Sequence, residues 1–274
     1  MSFILPSIGG GIIASPTTPP AWNGNTYSVE LDGTNDYLNP ADTFSTLWGG
    51  TFAISVWYKT PSSFTSVDGM IVSNHYSAGK GNIEFRITGT SSSAAKVSLW
   101  FSPSIVNGGT YNAYDKKTSD SALSTNTWYH LCWATDRPAS GTTSSKLYIN
   151  GSEATLSAGG YGGIDPIHNA TTFTTSSFSL IGSRNGASSG AGSTSHALPG
   201  LLDEMAFFDS SLSASDVTSI YNSGVPSDIS SLSPVGWWRM GDNDGGTGTT
   251  VTDQGSGGND GTLTNGPTFS TTVP

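Results

Sequence analysis

The sequence predicts an all-β protein: two antiparallel sheets packed as a sandwich, with one short helix and an extended N-terminal arm. Three observations carry that prediction. Short β-branched or aromatic blocks recur at residues 27–37, 52–58, 128–133, 146–151 and 200–208, each bounded by Gly, Asn, Asp or Ser. Elsewhere the apolar residues alternate: Ile83, Phe85 and Ile87 against Glu84 and Arg86, then Val97, Leu99 and Phe101 against Ser98 and Trp100. A period of two marks a half-buried strand with one wet face. Composition agrees, with 35 glycines for tight turns, 11% charged residues, and 11% aromatics including eight Trp to fill a core.

The chain opens on a separate piece at residues 1–22. Phe3, Ile4, Leu5, Ile8, Ile12 and Ile13 are apolar without a period, and Pro6 with Gly9–Gly11 breaks any helix. Pro16, Pro19 and Pro20 then read as an extended linker. An apolar arm is a liability in a free monomer, so it is expected to dock on the domain or on a partner. The stretch lacks a basic leading region, which argues against a signal peptide.

Residues 23–274 are expected to form a single domain. In the block at 52–58, Phe52, Ile54, Val56 and Tyr58 share one face, and Ala53, Ser55 and Trp57 the other. Asn150-Gly151 after Leu147 and Ile149 signals a type I′ hairpin, because both residues tolerate positive φ. The helix is announced by Ser213 as N-cap with Asp216 three residues on, and by Leu212 and Val217 as a hydrophobic staple. Val217, Ile220 and Tyr221 form its apolar stripe, and Gly224 offers a stop. Two arrangements suit residues 235–274: the start of a truncated second repeat, or terminal strands that close the same sandwich. The second is expected, since a lone Trp237-Trp238 strand would leave two large rings without a core.

Taken in order, these blocks resemble the laminin-G-like, concanavalin A-like lectin/glucanase jelly-roll family. The residues carrying the resemblance are 27–37, 52–58, 128–133, 146–151, Asp203-Glu204 in 200–208, and Leu212–Asp216 with Ile220–Asn222 in the helix. It implies a two-sheet jelly roll used mostly for binding. Relatives often hold a structural calcium, so hard oxygen donors at Asp32, Asn35, Asp36 and Asp203 are candidate ligands. The alternative is that 32–36 are turn residues bonding their own backbone. Asp242, Asp244, Asp253 and Asp260 in the tail lack calcium-loop spacing and are expected in solvated turns.

Composition also excludes classes of function. A net charge of −10 without a basic run argues against nucleic acid and anionic membranes as partners. No apolar stretch approaches 18 residues, so no membrane insertion is expected. The single cysteine, Cys132, rules out an internal disulfide or a Cys-based zinc site, and reads as a buried thiol. His75, His130, His168 and His196 show no metal spacing, and His130 reads as a core residue. A jelly-roll glucanase carries alternating carboxylates on one strand; Glu30 and Asp32 alternate, but no third follows. Asp203 and Glu204 are adjacent, which places them on opposite faces of a regular strand. No catalytic residues are therefore assigned.

Glycan binding calls for exposed aromatics beside amides and carboxylates. Candidates are Tyr76, Trp100, Tyr111, Tyr114 and Tyr161, near Asn107, Asn112, Asp115 and the loop at 186–195. An apolar arm, a Pro/Thr linker, one such domain and the closing segment at 235–242 together resemble virion proteins of tailed bacteriophages. That resemblance implies a non-enzymatic capsid decoration, fibre or adhesin protein on the virion surface. Its expected partners are other virion proteins, reached through the arm, and cell-surface glycans, with the chain a homo-oligomer in the assembly. A secreted carbohydrate-binding lectin module is the main alternative, and a glycosidase or lyase on this fold a third.

Overall fold

The computed structural model describes residues 22–64, 68–74, 82–102, 115–136, 144–158, 179–184 and 196–274. The arm residues Phe3 to Ile13, and the candidates Tyr76, Tyr111, Tyr114 and Tyr161, lie outside them. Chain order begins with β1 (Ser28–Asp32), β2 (Tyr37–Pro40), the single-turn helix α1 (Ser45–Trp48), β3 (Ala53–Lys59) and β4 (Asp68–Ser73). Next come β5 (Asn82–Ser91), β6 (Ala94–Ser102), β7 (Asp115–Ser119), β8 (Leu123–Ser124) and β9 (Trp128–Asp136). Then follow β10 (Ser144–Ile149), β11 (Ser152–Glu153), β12 (Leu156–Ala158), β13 (Leu180–Ile181) and β14 (Pro199–Phe208). Helix α2 (Ala214–Tyr221) precedes β15 (Gly236–Trp238), β16 (Thr250–Val251), β17 (Gly261–Thr264) and β18 (Thr268–Ser270).

All pairings are antiparallel, and they build two sheets. The eight-stranded sheet runs β11-β10-β9-β3-β14-β1-β18, with β15 also on β14. The ten-stranded sheet runs β12-β7-β6-β5-β4-β13-β2-β17-β16, with β8 also on β6. This is the concanavalin A-like jelly-roll sandwich. Between the sheets lie the faces expected from the alternation, Ile54, Val56 and Tyr58 from β3 and Ile83, Phe85 and Ile87 from β5, joined by Trp133 from β9. Large rings dominate, with Phe52 edge-on to both Trp48 and Trp133.

A second apolar cluster explains why β3 is buried on both faces. Ala53, Cys132, Ala134, Tyr148, Ala206 and Phe208 face out of the eight-stranded sheet and are covered by Leu212, Val217 and Ile220 of the α2 region. The helix begins as expected, with the Ser213–Asp216 capping box formed in both directions. It ends earlier than Gly224 suggests, because Asn222 takes the left-handed cap at φ 42. The Asn150-Gly151 hairpin also forms, with φ 51 and 76. His130 is fully buried, its Nε2 2.8 Å from Ser55 Oγ, and burial lowers its pKa to about 3.

The last forty residues contribute to both sheets: β15 pairs with β14, β17 with β2, and β18 with β1. Here the aspartates depart from the expected solvated turns. Asp253 is buried and accepts from the backbone N–H groups of Trp237, Gly255 and Asn259. Asp242 is buried too, and accepts from Thr26 and Tyr27 N–H. These side chains stand in for the backbone partners that glycine-rich turns cannot supply. Among the described residues no helix is long and apolar enough to cross a membrane.

Candidate functional site

The ten-stranded sheet has a second face, turned away from the core, and its middle is charged. Strand β5 places Glu84 and Arg86 there, opposite Trp100 and Ser98 of β6 respectively. Strand β4 adds Met70 across from Arg86 and Ser73 across from Glu84. This face is not wet, as alternation alone suggests: Glu84 is 2% exposed and Arg86 9%. Charged side chains at that depth require partners.

Arg86 supplies them. Its Nε and Nη2 form a bidentate pair with the Asp68 carboxylate, at 3.1 Å to Oδ1 and 2.5 Å to Oδ2, with Nη2 also on Oδ1. Its Nη1 donates to Glu84 Oε2 at 3.1 Å. The guanidinium carbon stands 5.6 Å from the Trp100 ring centroid, within cation–π range. Around this centre stand Arg184, with Nη1 4.0 Å from Glu84 Oε1, and His196, with Nε2 3.8 Å from Asp68 Oδ2. His196 has its pKa lowered by burial and by the neighbouring Arg184 charge, against the pull of Asp68. It is therefore neutral at physiological pH.

The arrangement is a graded surface. Arg86 and Glu84 form a closed base, while the side chains of Asp68, Arg184 and His196 keep 37%, 28% and 18% of their surface exposed. An aromatic ring, fixed carboxylates and guanidinium donors side by side can stack on a sugar ring and hydrogen-bond its hydroxyls. Trp100, expected from sequence as a ligand-facing aromatic, is part of this group. Asp68, Arg184 and His196 escaped sequence reasoning, since they come from three separate segments and no spacing links them.

The expected calcium donors do not form one set. Asp32 and Asp36 share the β1–β2 turn, where Asp32 Oδ1 accepts from Thr34 N–H and Asp36 Oδ2 from Asp32 N–H. Burial raises the pKa of Asp36. Asn35 offers its carbonyl to Asn265 Nδ2. Asp203 lies one step beyond the Val29–Leu202 pair, four residues along β1 from Asp32. At roughly 3.4 Å per residue that is about 14 Å, too far for a shared ion.

Asp203 instead joins a different cluster. A register shift between Asp203 and Ala206, with Glu204 at φ 47, breaks the strand's alternation. The bulge brings both carboxylates together with Asp242, all within 4.8 Å, rather than sending them to opposite faces. Every oxygen there has a donor. Asp203 accepts from Asn25 Nδ2 and Glu204 N–H; Glu204 from Trp237 Nε1 and Arg239 Nε; Asp242 from Thr26 and Tyr27 N–H and, at 3.4 Å, Arg239 Nη2. Arg239 is itself the cation of this site, stacked 3.9 Å from the Trp22 ring centroid. A calcium ion does not fit a donor set already spent in this way. Burial raises the pKa of all three acids, Glu204 to about 7 despite Arg239.

Further clefts lie among the described residues. One of about 410 Å³ is lined by Asp42, Thr51, Asp209, Val235 and Asn259; another of about 430 Å³ by Glu30, Asp32, Lys59 and Asn126; a third of about 230 Å³ by Asn39, Asp42 and Asp260. All three are open to solvent. Each lacks an aromatic ring presented to solvent.

Comparison with known proteins agrees with the fold. A solved structure of a candidate carbohydrate binding protein from Bacteroides ovatus aligns with TM-score 0.56 at 20% identity, over 90% of this chain. The chain spans 60% of that protein's length. The native heptameric SAP-like pentraxin of Limulus polyphemus aligns with TM-score 0.48 at 15% identity, covering 73% of this chain and 84% of its own. The CBM40 domain of the Ruminococcus gnavus IT-sialidase, bound to α2,3 sialyllactose, gives 0.45 at 13%, covering 71% and 96%. No curated protein matches significantly. At the sequence level, the profile of the concanavalin A-like lectin/glucanases superfamily matches residues 32–218, which include strands β4, β5 and β6 of the charged face and the Asp203-Glu204 bulge. With the match spanning more than half of its length and the sandwich in place, the chain belongs to the concanavalin A-like lectin/glucanases superfamily.

Proposed function

We propose that the protein is a non-enzymatic carbohydrate-binding module whose glycan lies on the second face of the ten-stranded sheet, over Trp100. The observation that carries the reading is the Asp68–Arg86–Glu84 lattice beside Trp100. It costs desolvation to assemble and contributes nothing to the inter-sheet core, so a binding role accounts for it better than packing does. A retaining or inverting glycosidase sets two carboxyl groups across the scissile bond and keeps one as a proton donor. Asp68 and Glu84 instead share one guanidinium. Fold alone does not decide between these roles, and the site supports binding.

A glycan array with the full chain tests this. Retention of at least one oligosaccharide class, lost at least tenfold in Trp100→Ala without release of cleaved product, is the expected outcome. An array with no retention at all would overturn it.

The apolar arm at residues 3–13 and its Pro-rich linker favour a further reading of where the module works: displayed on a phage particle, anchored to other virion proteins by the arm. Co-purification with particles in fixed stoichiometry, lost on removing residues 1–20, is the outcome that supports it. Incorporation of the truncated chain at normal stoichiometry would sink it.

A further inference from the structure

We infer that the glycan held on this face carries a carboxylate, and that Arg184 is the residue that receives it. The inference rests on the glycan-binding reading above and adds the ligand's chemical class. It comes from counting donors and acceptors. Arg86 is satisfied: three of its nitrogens donate to Asp68 and Glu84. A guanidinium offers five N–H donors in a fixed fork and no acceptor. Arg184 has the same fork and makes no hydrogen bond with it among the described residues. Its nearest carboxylate oxygen, Glu84 Oε1, is 4.0 Å away, beyond hydrogen-bond range. Its Nε is buried and has no acceptor among the described residues.

The acceptor that completes such a fork is planar and bidentate, which is the geometry of a carboxylate. The two protein carboxylates within reach are already held by Arg86, so the missing acceptor belongs to the ligand. Charge leads the same way. Asp68 and Glu84 balance Arg86 and Arg184 while His196 is neutral, so one added carboxylate meets a site that is not already negative. The chain as a whole carries −10, which disfavours a polyanion extending beyond the site. At physiological ionic strength screening acts over about 8 Å, so a single carboxylate against Arg184 escapes most of that repulsion. The class is therefore an acidic sugar, uronic or nonulosonic, within an otherwise weakly charged glycan, rather than a polysulfated chain.

Calorimetric titration of the full chain tests the assignment with matched probes: 3′-sialyllactose, trigalacturonic acid, and the carboxyl-reduced form of each, with a heparin hexasaccharide alongside. At least one acidic probe should bind tenfold or more tighter than its reduced form. That ratio should fall towards one in Arg184→Gln. It should be only partly kept in Arg184→Lys, which restores the charge without the fork; this variant also serves if the glutamine form fails to fold. Equal binding of acidic and reduced probes, or a ratio unchanged in both variants, overturns the role of Arg184 while glycan binding stands. Tighter binding of heparin than of either acidic probe overturns the carboxylate in favour of sulfate. If neither these probes nor any array glycan binds, the glycan-binding reading falls first and this inference with it.

Discussion

Glu84 and Glu204 show how far a residue's surroundings redefine it. Both are glutamates on strands, and both are buried against an arginine. Glu84 lies on the face proposed for binding, whereas Glu204 ties β14 to the closing segment through Trp237 and Arg239. Burial raises the pKa of Glu204 to about 7, above its ordinary value. A raised folded-state pKa means the folded state holds its proton longer than the unfolded chain does. The associated stability is fully present below the unfolded value near 4.5 and is lost as pH rises to about 7. His130, with its pKa lowered to about 3, works in reverse: stability present above its unfolded value near 6.5 is lost as pH falls. The clean readout is therefore a difference. The melting temperature of wild type minus that of Glu204→Gln, which resembles the protonated acid, should fall as pH rises from 4.5 to 7. A difference constant across that window would show that folding leaves the pKa of Glu204 unshifted.

At the level of elements, the local signals near helix α2 and the β10–β11 hairpin are strong, and their loss should be measurable. Ser213 accepts from Asp216 N–H, and Asp216 returns a bond to Ser213 N–H. Ser213→Ala should cost about 1 kcal/mol in a denaturant titration, the usual value of an N-cap. Gly151 sits at φ 76, where a Cβ would come within 2.9 Å of the Tyr221 ring. Gly151→Ala therefore combines backbone strain with a clash against α2, and should cost more than the cap does. Equal effects would place the helix further from the hairpin than it stands here. Strand β14 is the instructive opposite: its bulge at Glu204 leaves no mark in local sequence, since Asp203-Glu204-Met205 reads as ordinary strand.

For the whole molecule the decisive feature is that residues 235–274 supply strands to both sheets. Trp238 is fully buried, edge-on to Phe44 and Phe207. Trp238→Ala should cost about 3–5 kcal/mol, the range for emptying a large aromatic site. Deleting 235–274 should do more, because it exposes the edges of β1, β2 and β14 and strips Glu204 of Arg239. A fragment of residues 23–234 with a sharp transition near that of the full chain would refute this account of closure. Since the Asp203 cluster already encloses a cation and the Asp32–Asp36 turn is satisfied by backbone, excess chelator should leave the melting temperature unchanged. A drop would reveal a metal bound elsewhere.

The sequence by itself determined the fold class, the inner faces of β3, β5 and β6, the Asn150-Gly151 turn and the capped helix. Each of these rests on a period or a short-range pair, and both are written in neighbouring residues. Trp100 was legible for the same reason, as the aromatic on the outward parity of its strand. What only the tertiary structure decided are the two charged clusters. Asp68, Glu84, Arg86, Arg184 and His196 meet because β4, β5 and the segments around β13 are neighbours in a sheet, which no spacing encodes. Asp203, Glu204, Asp242 and Arg239 meet because a bulge reverses one side chain and a strand from the far end of the chain lies beside it. Parity along a strand is a local property; which strands lie side by side is set by the burial of the whole chain.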